Sequence, residues 1–226
     1  MKNIHVTPFH HEVLNFWAAW RRGHGETVPA VLCLDHHTDV VRAFRDDAAA
    51  VGQGVWRSPE IVEDAVSRLR HDEHFDWAVR SGLVREVFIA SHTRATVPAD
   101  DALHVLCDPR WPDENEFLRD QELCRPLADS VLESDYLFRQ FGAIGRYEPF
   151  ILDIDCDYIL TRRALFPGNA AYFDALLRRA ELVTLSLESD WVRLLKLPGE
   201  DITGTAVAEA VAGRLNVVSQ SLSPDF

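Results

Sequence analysis

The 226-residue chain, with 47% hydrophobic residues, is long enough for one large domain with a substantial core and short for two. Its formal net charge of −13 argues against a duplex nucleic-acid binder, whose affinity comes largely from Lys and Arg meeting phosphate, and suits attraction of cationic substrates. No apolar run approaches a bilayer span, and the opening "MKNIHVTPFHHEV" has no long apolar core, so a soluble cytoplasmic protein without a secretory signal is expected.

In chain order, "NIHVTPF" reads as a short strand, and "HEVLNFWAAWRR" places Val13, Leu14, Trp17 and Trp20 at helical spacing. "GHGETVP" breaks that helix before the strand "AVLCL". "PEIVEDAVSRLR", with Pro59 at a first helical position, and "EHFDWAVRSG" read as helices. The strands "REVFIAS" and "ALHVLCD" come next. Residues 109–126 are polar and hold three prolines, which predicts a long loop with at most one helical turn. "DSVLESDYLFRQFG" is expected to be a helix capped by Asp129 or Ser130. "PFILDIDCDYI" reads as a strand, "GNAAYFDALLRRA" as a helix, "ELVTLSLES" as a strand, and "DITGTAVAEAVAGRLNVVSQ" as a closing helix capped near Asp201 or Thr203. Strands alternating with helices predict a single α/β domain over residues 1–226, with three layers around a mostly parallel sheet. Cys33, Cys107, Cys124 and Cys156 form no CxxC pair and read as reduced core thiols.

Three predicted strands end in polar groups: Asp35, His37 and Asp39; Asp153, Asp155 and Asp157; and Glu188. Parallel strands bring such ends to one edge, the usual ligand crevice of an open α/β sheet. Residues two apart on an extended backbone point the same way, so each aspartate cluster can present ligands to one point. Massed carboxylates raise one another's pKa, a conflict that divalent cations remove. Oxygen donors with imidazole and no thiolate favour manganese. A structural alternative stands beside this: Asp35 or Thr38 could cap a helix, and Asp157 could start one.

These motifs resemble a known family. "LDHHTD" resembles the Asp-x-His-x-Asp signature of the ureohydrolases, the arginases and agmatinases, and "LDIDCD" resembles their later Asp-x-Asp signature. The resemblance implies an arginase-like fold and two Mn2+ ions bridged by Asp35 and Asp153, with Asp39 on one ion and His37 and Asp155 on the other. It also implies a further histidine from an earlier strand end. "TPFHHEVL" lacks the family's Gly-Gly-Asp-His stretch but places His10 directly after "VTPF", in preference to His11. "LSLES" is similar to the last strand of the family, whose glutamate binds the guanidinium, which makes Glu188 the substrate-binding and catalytic match.

The likeness consists of ordered signatures from His10 to Glu188, not continuous similarity. The absence of recognisable loops for the free amino-acid head group makes the chain look most like the compact peptide arginases. That implies hydrolysis of peptidyl arginine, within an arginine-containing precursor peptide, to ornithine and urea. Asp155 would relay a proton to the departing nitrogen, and His74 and His92 are candidate proton shuttles without a motif match. Hydrolysis of a small free guanidino compound, or a catalytically silent metal-containing module, is the alternative. Neither nucleic acid nor membrane is expected as a partner, and self-association is left open.

Overall fold

The computed structural model describes residues 4–47, 50–94 and 96–220. Six strands, β1 (Ile4–Thr7), β2 (Ala30–Asp35), β3 (Val87–Ser91), β4 (Leu103–Cys107), β5 (Phe150–Asp155) and β6 (Leu182–Ser186), form one sheet in the order β1-β6-β5-β2-β3-β4. Every pairing is parallel. The chain moves outward from β2 through β3 to β4, then returns to place β5 on the opposite flank of β2. The order therefore reverses at the β2–β5 pair, and the crevice of such a sheet opens there, beyond the carboxyl ends of the strands.

The central strands are buried on both sides, and their alternation divides the core. Ala30, Leu32, Leu34, Leu152, Ile154, Val183 and Leu185 face one layer. Val31, Cys33, Ile151, Val87 and Ile89 face the other. The second layer is made by α1 (Leu14–Gly23), α2 (Pro59–Arg68) and α3 (His74–Arg80), which contribute Leu14, Trp17, Val62, Phe75 and Trp77. α2 begins as expected: Pro59 opens it, and the Ser58 hydroxyl accepts a hydrogen bond from the Ile61 amide.

The first layer departs from the sequence reading in two places. Residues 109–126 are not one long loop: α4 (Glu114–Arg119) is capped by Asp113, a 3-10 turn covers Gln121–Cys124, and α5 (Arg125–Ala128) begins there. Phe117 and Cys124 anchor this polar stretch in the core, a tertiary stabilisation that local polarity does not show. The next helix, α6 (Ser134–Phe141), starts later than expected. Neither proposed cap serves it, because Ser130 donates back to the Leu127 carbonyl at the end of α5 and Asp129 accepts from Thr161.

α7 (Ala171–Arg179), α8 (Ser189–Leu195) and α9 (Gly204–Gln220) complete the layer. Thr203, not Asp201, accepts from the first turn of α9, through the Ala206 amide. At Gly204 a Cβ would overlap the Leu187 carbonyl oxygen, so glycine is what lets α9 press against the turn after β6. All four cysteines are free; Cys33, Cys124 and Cys156 are buried and Cys107 is half-buried. Among the described residues, no helix is long and apolar enough to cross a membrane.

Candidate metal centre

The period-two alternation of β2 and β5 decides which acids meet. Asp35 ends β2 on the face of Val31 and Cys33, and Asp155 ends β5 on the same face as Ile151 and Asp153. In the ladder, Leu34 pairs with Ile154, so Asp35 and Asp155 stand side by side at the rim. Asp153 lies one pleat deeper, roughly 7 Å back along the strand, level with Cys33 and Thr184.

Beyond β1, the residues His10–Val13 form a 3-10 turn that leads into α1 and drops the His10 ring into the same layer. Its Nδ1 lies 3.1 Å from Asp39 Oδ2, 3.2 Å from Asp155 Oδ2 and 3.5 Å from Asp35 Oδ2. Its Nε2 lies 2.7 Å from Asp153 Oδ2. His11 turns away into a separate groove with Phe9, Glu12 and Glu63, so His10 is the histidine that enters the cluster.

After β5 a second 3-10 turn, Cys156–Tyr158, is held by the Asp155 carboxylate, which accepts from the Asp157 amide at 3.2 Å. The turn carries Asp157 back over the strand ends. Asp157 Oδ2 lies 3.0 Å from His37 Nδ1 without hydrogen-bond geometry, and Asp157 Oδ1 accepts from the His36 amide. Asp35 Oδ1 in turn accepts from the His37 amide at 2.7 Å. Four groups of ligating atoms result among the described residues, each lying within 4.8 Å: His10, Asp35 and Asp155; Asp35, His37 and Asp157; His10, Asp39 and His74; and, deeper in the sheet, His10, Cys33 and Asp153.

Asp157 belongs to the observed cluster, although sequence reasoning assigned it no ligand role. The signal was available in the third step of the Asp-x-Asp-x-Asp run. Two readings set it aside: the family signature matches Asp153 and Asp155, and an acid after a strand can simply start a helix. In the structure β5 ends at Asp155, and Asp157 lies in the turn that follows.

The electrostatics are those of crowded carboxylates. Burial, with Asp39, Asp157 and Asp155 nearby, holds the Asp35 carboxyl well above the usual range. Burial and Asp157 push Asp155 up to about 8. Burial opposes ionisation of both Asp157 and His37, but their mutual attraction prevails: Asp157 lies below its ordinary value and His37 is raised to about 9. Burial also works against a charged His10, and Asp153 with Asp155 overcomes it, leaving the imidazole well above its ordinary value.

The donor set fits divalent cations. Asp35 Oδ2 and Asp157 Oδ2 are buried without hydrogen-bond partners among the described residues, although buried carboxylate oxygens are ordinarily satisfied. Hard carboxylate oxygens with two imidazoles are the ligands such ions take. The nearby Cys33 thiol, raised by burial and by Asp153, donates to Asp153.

Asp39 and Glu188 are two of the three non-glycine residues with positive φ among those described, at 47° and 36°. Such strained positions concentrate at functional sites. Glu188 comes just after β6, is buried, and its Oε1 accepts from the His10 amide at 2.7 Å.

The two shuttle candidates lie inside the protein. His74 packs on His10 at 4.3 Å between ring centroids and is bound through Nδ1 to the His71 carbonyl. His92 stacks between Trp111 and Tyr158 and faces His36. Burial lowers both well below the ordinary histidine value and keeps them neutral.

Above the cluster lies a cleft of about 270 Å³, bordered by His37, Asp39, Asp72, Glu114, Phe117 and Trp191 among others. Trp191 meets the His37 ring edge-on at 4.9 Å, and Leu118 and Leu194 are exposed at the rim.

Comparison with protein-family profiles and with curated proteins finds no match. Among solved structures, proclavaminate amidino hydrolase from Streptomyces clavuligerus is similar at 17% identity and a TM-score of 0.45, over 96% of this chain and 62% of that one. A hypothetical agmatinase from Burkholderia thailandensis is similar at 15% identity and a TM-score of 0.45, over 96% of this chain and 58% of that one. The chain thus spans about three fifths of the length of these two proteins.

Proposed function

We propose that the chain is a binuclear-metal amidine hydrolase that converts arginine side chains within a peptide to ornithine, releasing urea. The observation that carries this reading is the convergence of His10, Asp35, His37, Asp39 and the β5 aspartates, with two orphaned carboxylate oxygens, beside Glu188. His10, Asp35, His37 and Asp39, with two aspartates from the end of β5, would hold two Mn2+ ions. When bound, such ions would supply Lewis acidity that makes water a better nucleophile near neutral pH.

The chain's own groups do the rest. Glu188 supplies a carboxylate for the guanidinium, which stays charged at any relevant pH and can be gripped through two parallel hydrogen bonds. The His10 amide fixes one oxygen of that carboxylate and so ties substrate position to the metal-facing histidine. Asp155, touching both His10 and the Asp157 turn, carries the proton from the attacking water to the departing side-chain nitrogen. The bond broken joins that nitrogen to the guanidinium carbon, leaving an amine and urea.

A peptide substrate is supported by the cleft. Leu118 of α4, with Trp191 and Leu194 of α8, gives the rim an apolar surface for residues flanking the arginine, and Asp72 and Glu114 keep it acidic.

The test is urea release by the manganese-loaded protein on arginine-containing peptides, free arginine and agmatine, with peptide mass as a second readout. Peptides are expected to lose the mass of cyanamide at each converted arginine, with free arginine a poor substrate. Equal or better turnover of free arginine or agmatine would overturn the peptide assignment. No urea from any of them would overturn the hydrolase.

A further inference from the structure

We propose that Asp155 and Asp157 are the metal-binding pair of β5, and that Asp153 is a positioning residue that holds His10 from behind. This inference rests on reading the cluster as a metal centre. It shifts by two residues the pair expected from the Asp-x-Asp signature, and so exchanges the roles of two aspartates.

The first ground is saturation. Asp153 is completely buried, and both its oxygens are engaged: Oδ1 accepts from the Thr184 hydroxyl at 2.6 Å, and Oδ2 takes His10 Nε2 at 2.7 Å and the Cys33 thiol at 3.5 Å. Thr184 is itself held by the Trp17 indole N–H at 3.1 Å. To reach an ion, Asp153 would have to abandon these partners and leave Thr184 and His10 unmatched in the core, where unpaired polar groups are costly. Asp157 is placed differently: Oδ1 accepts from the His36 amide at 3.2 Å, and Oδ2 makes no hydrogen bond among the described residues. Oδ2 stands 3.0 Å from His37 Nδ1 as an ion pair at the rim, with no contact to the core polar groups that hold Asp153.

The second ground is the orientation of His10. Its Nδ1 faces three carboxylates, those of Asp35, Asp39 and Asp155, while the carboxylate on its Nε2 is that of Asp153, with the Cys33 thiol alongside. A ligating imidazole coordinates through one nitrogen and donates its remaining N–H to a fixed acceptor, which sets the tautomer and the ring plane. Asp153 is that acceptor. Trp17, Thr184, Asp153 and His10 form a chain of hydrogen bonds running from α1 through β6 and β5 back to the 3-10 turn that precedes α1.

The third ground is depth. Asp153 is level with Cys33 and Thr184 inside the sheet, whereas Asp155 is level with Ser186 and next to Asp35 at the rim. The Cys156–Tyr158 turn then delivers Asp157 to the His37 side.

The experiment compares wild type with Asp153→Asn, Asp157→Asn and Thr184→Val. Bound manganese is counted by elemental analysis, affinity is measured by calorimetry, and the spin-coupled signal of a metal pair is followed by electron paramagnetic resonance. Wild type is expected to bind both ions with a coupled signal.

Asp157→Asn should lose one ion and the coupling. Asp153→Asn should keep both ions and the coupling, with affinity weakened roughly 10- to 100-fold and the hydrogen-bonded His10 Nε2–H proton resonance lost or shifted. Thr184→Val, which has no ligand to lose, should weaken affinity in the same direction with both ions retained, and it keeps the test open if Asp153→Asn does not fold.

Loss of an ion in Asp153→Asn with both retained in Asp157→Asn would overturn the assignment. Unchanged affinity in a folded Asp153→Asn or in Thr184→Val would overturn the positioning role. A wild type that binds no divalent metal would instead sink the metal centre itself, and this inference with it.

Discussion

In the proposed metal centre Glu188 and Asp35 would stand in opposite relations to the ions, and single substitutions separate them. Glu188 is tied to the His10 amide and holds no cluster atom, so Glu188→Gln is expected to keep metal content while losing a charge-assisted grip on the guanidinium. Such a loss corresponds to about a ten- to hundredfold fall in kcat/KM. Asp35 belongs to two of the four groups of ligating atoms, the two at the rim, so Asp35→Ala should abolish most metal binding together with activity. Elemental analysis beside urea kinetics checks both, and a metal-free Glu188→Gln protein or a metal-replete, active Asp35→Ala protein would contradict these roles.

At the scale of elements, the site is assembled by the segments that leave the strand ends. β2 continues into an irregular segment whose positive φ at Asp39 turns that carboxylate back toward His10; β5 continues into a 3-10 turn; and β6 ends in a left-handed Glu188 that opens α8. The last of these depends on α9. Because a Cβ on Gly204 would overlap the Leu187 carbonyl, Gly204→Ala should push α9 off the turn that presents Glu188. The overpacking is expected to cost about 1–3 kcal/mol in stability. A lowered melting temperature and a raised KM, with metal content unchanged, are the outcomes sought. Unaltered melting and kinetics would show that the contact relaxes freely.

Across the whole molecule, the cluster is expected to couple folding to pH and, through the proposed centre, to metal. In the metal-free protein, folding raises Asp155 to about 8 and His37 to about 9, so the folded state holds those protons more tightly than the unfolded chain does. The resulting stability is fully present below the unfolded values and is lost as pH rises, for Asp155 from the ordinary carboxylate range through about 8 and for His37 from the ordinary imidazole range through about 9.

Divalent metal requires the deprotonated ligands, so its affinity should increase over the same window. The gap in melting temperature between manganese-loaded and chelated protein is therefore expected to widen as pH rises through this range. A gap independent of pH would argue that protons and metal do not compete at these side chains.

Much of the fold was legible in the residues themselves. The continuous apolar runs "VLCL" and "FIL", each followed by acids, report strands buried on both faces that end in polar groups, and period two, a property of any extended chain, tells which of those groups share a face. The α/β order of elements rests on the same local signals and agrees with the six-stranded parallel sheet.

The depth of each aspartate could not be read in this way. Asp153 looks like a strand end because it is charged, yet its charge is met by His10, Thr184 and Cys33, which lie 143, 31 and 120 positions away in sequence. Residues 109–126 look like a loop because they are polar, yet Phe117 and Cys124 find the core. Local sequence determined which side chains share a face. Only the tertiary structure decided which of them reach the rim and which remain inside, because a buried charge is tolerated wherever distant segments supply its partners, and those segments meet only once the sheet has closed around them.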